Sequence, residues 1–403
     1  GDVRLRLVDS RVGERELPGQ VWASVVGRAA EIKRSDIVTI SGKLRSGFGT
    51  FPASLSYAKL IQVSSRAGAD PAREMRDEFG TKLEEVIEQP AESLGMGILA
   101  GQKTALPNDV ATAFQVAGLT HIVVASGYNL TILIRLARRL LARISRLAAL
   151  LGAGGLMLSF AFVTGFSPSM TRASMVAGLS LLAWYYGRKF HPVVLILMVA
   201  AASALTNPYY VWGDAGWYMS FSAFVGVIMV APLIRSYFFG GKATESAAVS
   251  KTASRRVFPE VSVATKRVKN FMGNLRQIFL ETMSAQLVVA PVIAIFLGQF
   301  APYGLLANLL VLPIVPLAML LTFVAGIVSW LTPTLSWLAA WPAQKLLDYI
   351  IWVSQQVAKL PNAAQEVHLG IFGFLAAIIS LVVAMFYMQR RTKHSFRDDN
   401  VVE

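Results

Sequence analysis

The chain has 403 residues, 54% of them hydrophobic, with a positive mean hydropathy and a formal net charge of +14. It contains no cysteine, which excludes disulfides, thiol nucleophiles and cysteine metal sites, and its four histidines stand too far apart for an H-x-H or H-x-x-x-H metal motif. Beyond position 118 the apolar residues gather in runs approaching the roughly 20 that a bilayer crossing needs, so the expected class is an α-helical polytopic membrane protein whose basic charge largely orients its spans.

The chain opens at Gly1 without an apolar leader, and an upstream transmembrane segment is expected if the first domain lies outside the cytoplasm. Residues 1–66 read as a small all-β domain. Val3, Leu5 and Leu7 alternate with Arg4 and Arg6, and Val38, Ile40 and Leu44 with Thr39, Ser41 and Lys43, which is the period of half-buried strands. Turn clusters at Gly13, Pro18-Gly19, Ser35-Asp36 and Gly47-Phe48-Gly49 divide it into about five short strands, a pattern that fits an OB-like barrel. The domain is net basic. Arg28, Lys33, Arg34, Lys43, Arg45 and Phe48 are its candidate contacts to single-stranded nucleic acid, with Trp22, Phe51 and Tyr57 also available for stacking. The alternative is a solvated basic barrel whose aromatics fill its core.

Residues 67–117 read as amphipathic, interfacial helices. Asp70-Pro71 starts one, Met75, Phe79, Leu83, Val86 and Ile87 recur along one face, and Pro90 stops it. The apolar stretch from Leu94 to Ala100 is too short to cross a membrane.

Residues 118–389 form the transmembrane region and 390–403 a basic tail. Between 118 and 146, His121, Ser126, Asn129 and Thr131 interrupt an apolar segment and must face protein or water. Ser126-Gly127 either breaks the helix beside a cavity or permits close packing with a neighbour. Further apolar runs lie at 147–165, 168–186, 191–206, 214–239, 277–299, 302–331 and 368–388. The basic residues cluster in alternate connections, which places the first domain outside the cytoplasm and the tail inside. The 302–331 run carries Pro313 and Pro316, giving either a broken helix or a proline kink. Residues 333–361 mix an apolar stripe with polar interruptions and are expected to form an interfacial helix.

A-G-L-T-H-I-V-V-A-S-G-Y-N-L (117–130) resembles the G-L-x-H-L-L-A-I-S-G-L-H-V signature of the ComEC family, the channel through which competent bacteria internalise transforming DNA. In the family's order, G-F-S-P-S-M-T-R-A (165–173), N-P (207–208) with D-A-G-W-Y-M-S-F-S-A (214–223), and Gln299-Phe300 to Pro313 with its A-N-L-L-V-L-P resemble its further motifs, and R-S-D-I-V-T-I-S-G-K-L (34–44) resembles its OB-like domain. Two departures stand out. The second histidine of the signature is Asn129 here, and no H-x-H-x-D-H motif occurs, so the metallo-β-lactamase-like nuclease of many members is not carried over.

The resemblance implies a channel for single-stranded DNA in the bacterial cytoplasmic membrane, with no catalytic residues and no cofactor. The expected path is lined by His121, Ser126, Asn129, Arg172, Asp214, Trp217, Ser220, Gln286 and Asn308. Taken by themselves these residues have plainer readings: Arg172 as a side chain snorkelling to headgroups, Asp214 as a helix cap or a partner of Arg172, Trp217 as an interface anchor, His121 as a local backbone bond. Entry of a polyanion into an inside-negative cell is uphill by roughly 2.3 kcal/mol per charge per 100 mV. The chain has no G-x-x-x-x-G-K-[ST] loop, so a cytoplasmic helicase-like translocase is the expected motor, joined by an outer DNA receptor, a separate nuclease and membrane lipid. The rivals are a small-solute or lipid transporter, for which no inverted repeat is evident, and a membrane-embedded hydrolase, for which Ser126 and His121 lack a third member.

Overall fold

In the computed structural model the described residues are 3–8, 10–12, 15–16, 21–26, 32, 36–48, 51–64, 71–101, 106–123, 127–188, 191–239, 263–367 and 370–392. The fold is mostly helical with a small N-terminal β region. By internal contacts it divides into one unit of Gly1–Phe79 with Ala200–Tyr218, and another of Gly80–Val199 with Met219–Glu403.

The first unit opens with β1 (Val3–Leu7), the two-residue strands β2 (Arg11–Val12) and β3 (Arg15–Glu16), β4 (Val21–Val26), β5 (Ile37–Phe48) and β6 (Phe51–Ser64). Four of them form a sheet in the order β1-β4-β6-β5, with β4 and β6 parallel and the other pairs antiparallel. The last two strands run 12 and 14 residues, longer than the short strands the turn clusters suggest. Burial alternates along β4, where Val21, Ala23 and Val25 point inward, and the core is aliphatic, built on Ala23, Val25 and Ala58. The aromatic-core alternative therefore fails: Tyr57 is 79% exposed and Trp22 and Phe51 are half-buried. Pro71 starts α1 (Pro71–Glu84), and its Arg73 forms a 3.2 Å ion pair with Asp36, both side chains almost fully covered. Asp70, the expected cap, lies outside the described residues. The helix ends at Glu84, six residues before Pro90, with Ile87 N–H still reaching the Leu83 carbonyl.

The second unit continues with α2 (Ala91–Ala100), α3 (Asn108–Val116), α4 (Thr120–Val123), α5 (Gly127–Leu141), α6 (Arg146–Val163) and α7 (Pro168–Tyr185). Next come α8 (Pro192–Thr206), α9 (Tyr209–Gly213) and α10 (Ala215–Val225), of which Ala200–Tyr218 belongs to the first unit, and α10 runs through a π-helical turn at Gly226–Val230 into α11 (231–239). The chain then forms α12 (Val263–Phe296), β7 (Gln299–Phe300), α13 (Gly304–Val311), α14 (Val315–Leu331), α15 (Ser336–Ala358), β8 (Gln365–Glu366) and α16 (Ile371–Thr392). Arg146–Val163, Ala215–Phe239, Phe279–Phe296 and Ile371–Thr392 are long and apolar enough to cross a membrane. Gly304–Val311 and Val315–Leu331 would make a fifth crossing, bent by 48°. Pro313 falls in that break and Pro316 in the first turn of α14, so the two prolines end one helix and start another instead of merely kinking one. The 191–206 run yields only a 15-residue helix. Residues 333–361 become α15, amphipathic in fact: Ala343, Leu347, Ile350 and Val357 are buried while Trp337, Trp341 and Trp352 face outward.

Glu92, in the first turn of α2, is nearly covered, and burial followed by repulsion from Glu84 raises its carboxyl above the ordinary value of 4.5. The folded state then holds the proton more tightly than the unfolded chain does, so stability falls as pH rises above that ordinary value. Gln89 and Ser93 donate to the same carboxylate, which moderates the rise. Glu92→Gln should flatten the fall in thermal stability that sets in as pH rises above the ordinary value of 4.5. An unchanged slope by scanning calorimetry would exclude this carboxyl as its source.

Candidate functional site

The four motif segments supply both the turns and the buried polar groups of the helical unit. Gly118 closes α3 with φ +71°, after which Leu119 N–H bonds the Phe114 carbonyl, as in a left-handed helix cap. Gly165, φ +71°, does the same for α6, with Phe166 N–H on the Ala161 carbonyl, and Pro168 then opens α7. That tight reversal puts Arg172 one turn into α7.

Arg172 is 2% exposed and its Nη2 donates to Ser220 Oγ at 3.1 Å. It is therefore a buried cation between α7 and α10, not a residue snorkelling from the surface. A guanidinium in an apolar interior is costly, and where one persists the default reading is function.

The segments touch one another. A Cβ on Gly127 would come within 2.8 Å of the Ala173 Cβ, so the first and second motifs pack backbone against side chain where α5 meets α7. This is the close-packing role for Gly127; Ser126 lies outside the described residues. Arg172 and Ser220 join the second motif to the third. A Cβ on Gly118 would stand 3.1 Å from Ala301 Cβ, and one on Gly304 2.8 Å from Gln286 Nε2 and 3.6 Å from the Ala117 carbonyl. The first motif, the segment leading into α13, and α12 therefore meet at one place.

Asn308 lies one helical turn beyond Gly304 and is 6% exposed, and its Oδ1 is buried with no hydrogen-bond partner among the described residues. The same holds for Gln286 Oε1 and Ser284 Oγ on α12. Buried polar atoms are nearly always satisfied, so these three stand out, Gln286 and Asn308 near Gly304 and Ser284 beside Gly226.

Other expected path residues are held by bonds within the protein. Asn129 Nδ2 donates to the Ile98 carbonyl at 3.3 Å, and His121 is exposed and bonds the Gly118 backbone. In the first unit, Asp214 Oδ1 accepts from Gly216 N–H at 3.0 Å in the manner of a helix cap, and Trp217 Nε1 donates to Ser203 Oγ at 3.0 Å. In the β region Lys43 and Arg45 are exposed on β5, an edge strand. Arg28, Lys33 and Arg34, and the side chain of Phe48, lie outside the described residues. Sequence reading missed Ser284 and Gly226, which meet where the π-helical turn lies against α12: a Cβ on Gly226 would sit 2.6 Å from Ala285 Cα and 2.7 Å from the Ser284 carbonyl oxygen. No motif marks either residue.

Membrane-length helices enclosing buried polar groups define a multi-pass membrane protein. The chain belongs to the Competence protein family, of ComEC type, whose description matches residues 98–392. No curated protein and no solved structure matches it. Membership connects the chain with DNA uptake, and the membrane-length helices fit a channel.

Proposed function

We propose that the helical unit passes single-stranded DNA across the bacterial cytoplasmic membrane during natural transformation. The observation that carries this reading is a buried guanidinium, Arg172, bonded to Ser220 where the second and third motifs join, together with the unsatisfied Gln286 and Asn308 amides where the first motif, α12 and the start of α13 meet. Arg172 and Ser220 are the phosphate contacts, both in charge-assisted hydrogen bonds to the anionic phosphate, the guanidinium adding its own charge. Gln286, Asn308 and Ser284 offer exchangeable partners to a strand that must bind and leave. Asp214 and Trp217 shape the start of α10, and His121 and Asn129 hold the first motif in place.

The β region, as an OB-like domain outside the cytoplasm, presents the strand: Lys43 and Arg45 supply charge and exposed Tyr57 a stacking ring. The C-terminal tail is cytoplasmic, and α15 lies in the interface with its indoles in the headgroups. The chain is a conduit and not an enzyme. A cytoplasmic helicase-like translocase, an outer DNA receptor and a separate nuclease complete the system.

The test is site-specific photocrosslinking in competent cells taking up labelled DNA. Probes at 286 and 308 should yield DNA adducts, and probes at Val382 and Val383, exposed on α16, should not. Adducts confined to the outer positions, or absent from 286 and 308, would exclude the path.

A further inference from the structure

The membrane-length helices formed by α10 with α11, α12 and α16 pack on one another through Val230, Ile234, Leu280 and Val288, with Leu381 and Met385 of α16 against them. All three change from apolar to basic at the same end. There Arg276 stacks on Phe239 with 4.6 Å from guanidinium carbon to ring centre, Arg390 on Phe386 at 4.3 Å, and Arg391 on Tyr387 at 5.7 Å. Tyr237 and Tyr387 lie 6.3 Å apart and join the α11 side of this collar to the α16 side.

These rings are not core residues: Tyr387 is 50% exposed and Phe386 54%. In hydrocarbon a guanidinium is costly, whereas in bulk water such exposed rings have nothing to cover them. The headgroup layer at the end of the spans satisfies both. Among the described residues none of these three arginines pairs with a carboxylate, whereas Arg73 pairs with Asp36 and Arg76 with Asp77. A guanidinium over a ring keeps N–H donors for a phosphate, and Arg391, whose Nε donates to the Tyr387 hydroxyl at 3.3 Å, still has both terminal nitrogens to offer.

We propose that this collar is a binding site for the phosphate of anionic phospholipids. The surface favours lipid over a nucleic-acid strand because it is continuous with α16, none of whose residues is buried, and so opens toward the bilayer and not toward the packed interior. This inference rests on the membrane assignment alone and is independent of the strand-path reading.

The full chain is reconstituted in nanodiscs of phosphatidylcholine alone and with about a third phosphatidylglycerol, and thermal unfolding is followed in both. Phosphatidylglycerol should raise the Tm of the unsubstituted protein by several degrees. The triple variant R276Q/R390Q/R391Q, altered only at exposed positions, should keep its Tm in phosphatidylcholine and lose most of that shift. The corresponding triple lysine variant, which keeps the charge and loses the fork, should retain only part of it. Equal shifts in all three proteins, or none in the unsubstituted chain, would overturn the site. So would loss of oligonucleotide binding by the glutamine variant in phosphatidylcholine with its lipid shift intact, which would assign the collar to DNA.

Discussion

Arg172→Met leaves the protein folded and removes DNA entry. A buried charge replaced by an apolar side chain of similar length is often neutral or stabilising, because the desolvation cost disappears with the charge. If Arg172 were only a strut between α7 and α10, methionine would fill the same space, and the loss of the 3.1 Å bond to Ser220, about 1.5–3 kcal/mol, would be offset by the desolvation cost that goes with the charge. A guanidinium that receives phosphates behaves differently. Hydrogen bonds to a charged group are worth about 1.5–3 kcal/mol, a factor of roughly 10 to 150 for each phosphate held, and a translocating strand presents phosphates in succession. Cytosolic delivery of labelled DNA should therefore fall by at least about 100-fold while Tm is unchanged or higher and DNA binding at the cell surface persists. Arg172→Lys, which keeps the charge without the planar fork, should fall between the two. Normal delivery by the methionine variant would reduce Arg172 to packing.

The sequence discloses these helices through composition and period. Apolar runs mark each membrane-length helix, Pro313 and Pro316 mark the break between α13 and α14, and Gly118 and Gly165 mark left-handed caps. What it cannot disclose is pairing across the unit. Arg172, four residues into α7, has the position of a residue reaching for headgroups, and only the distant Ser220 reveals that it turns inward. Asn308 reads as one polar residue in an apolar helix, and its unsatisfied oxygen becomes visible only once α12 is laid beside α13. Asp214 illustrates the opposite case: its carboxylate serves its own helix start, which the local sequence already allows. In the β region the alternation along β4 is legible, but β4 pairs in parallel with β6, about 30 residues later, and nothing local announces such a pairing.

Among the helical glycines, Gly226 is the one whose replacement by alanine would press directly on another helix's backbone. In α6, Gly155 has no atom within 4 Å of a built Cβ, and Gly155→Ala should leave stability unchanged or raise it by about 1 kcal/mol, the ordinary helical preference for alanine. At Gly226 the same methyl would stand 2.6 Å from Ala285 Cα and 2.7 Å from the Ser284 carbonyl oxygen, and both are backbone atoms that no rotamer change can move. The π-helical turn at Gly226–Val230 admits an extra residue just where α10 runs against α12, and the missing side chain lets the two backbones touch. Alanine must push them apart along their length, with an overpacking cost of about 3 kcal/mol and, at roughly 2 °C per kcal/mol, a Tm lower by about 6 °C. Because α10 carries Ser220 and α12 carries Ser284 and Gln286, the displacement also separates the groups assigned to the strand, so DNA delivery should fall with stability. A second-site change on α12, Ala285→Gly, removes a methyl from the same contact without moving the backbone and should restore little of either loss. Similar Tm values for Gly226→Ala and Gly155→Ala would show that the two helices do not meet at the π turn.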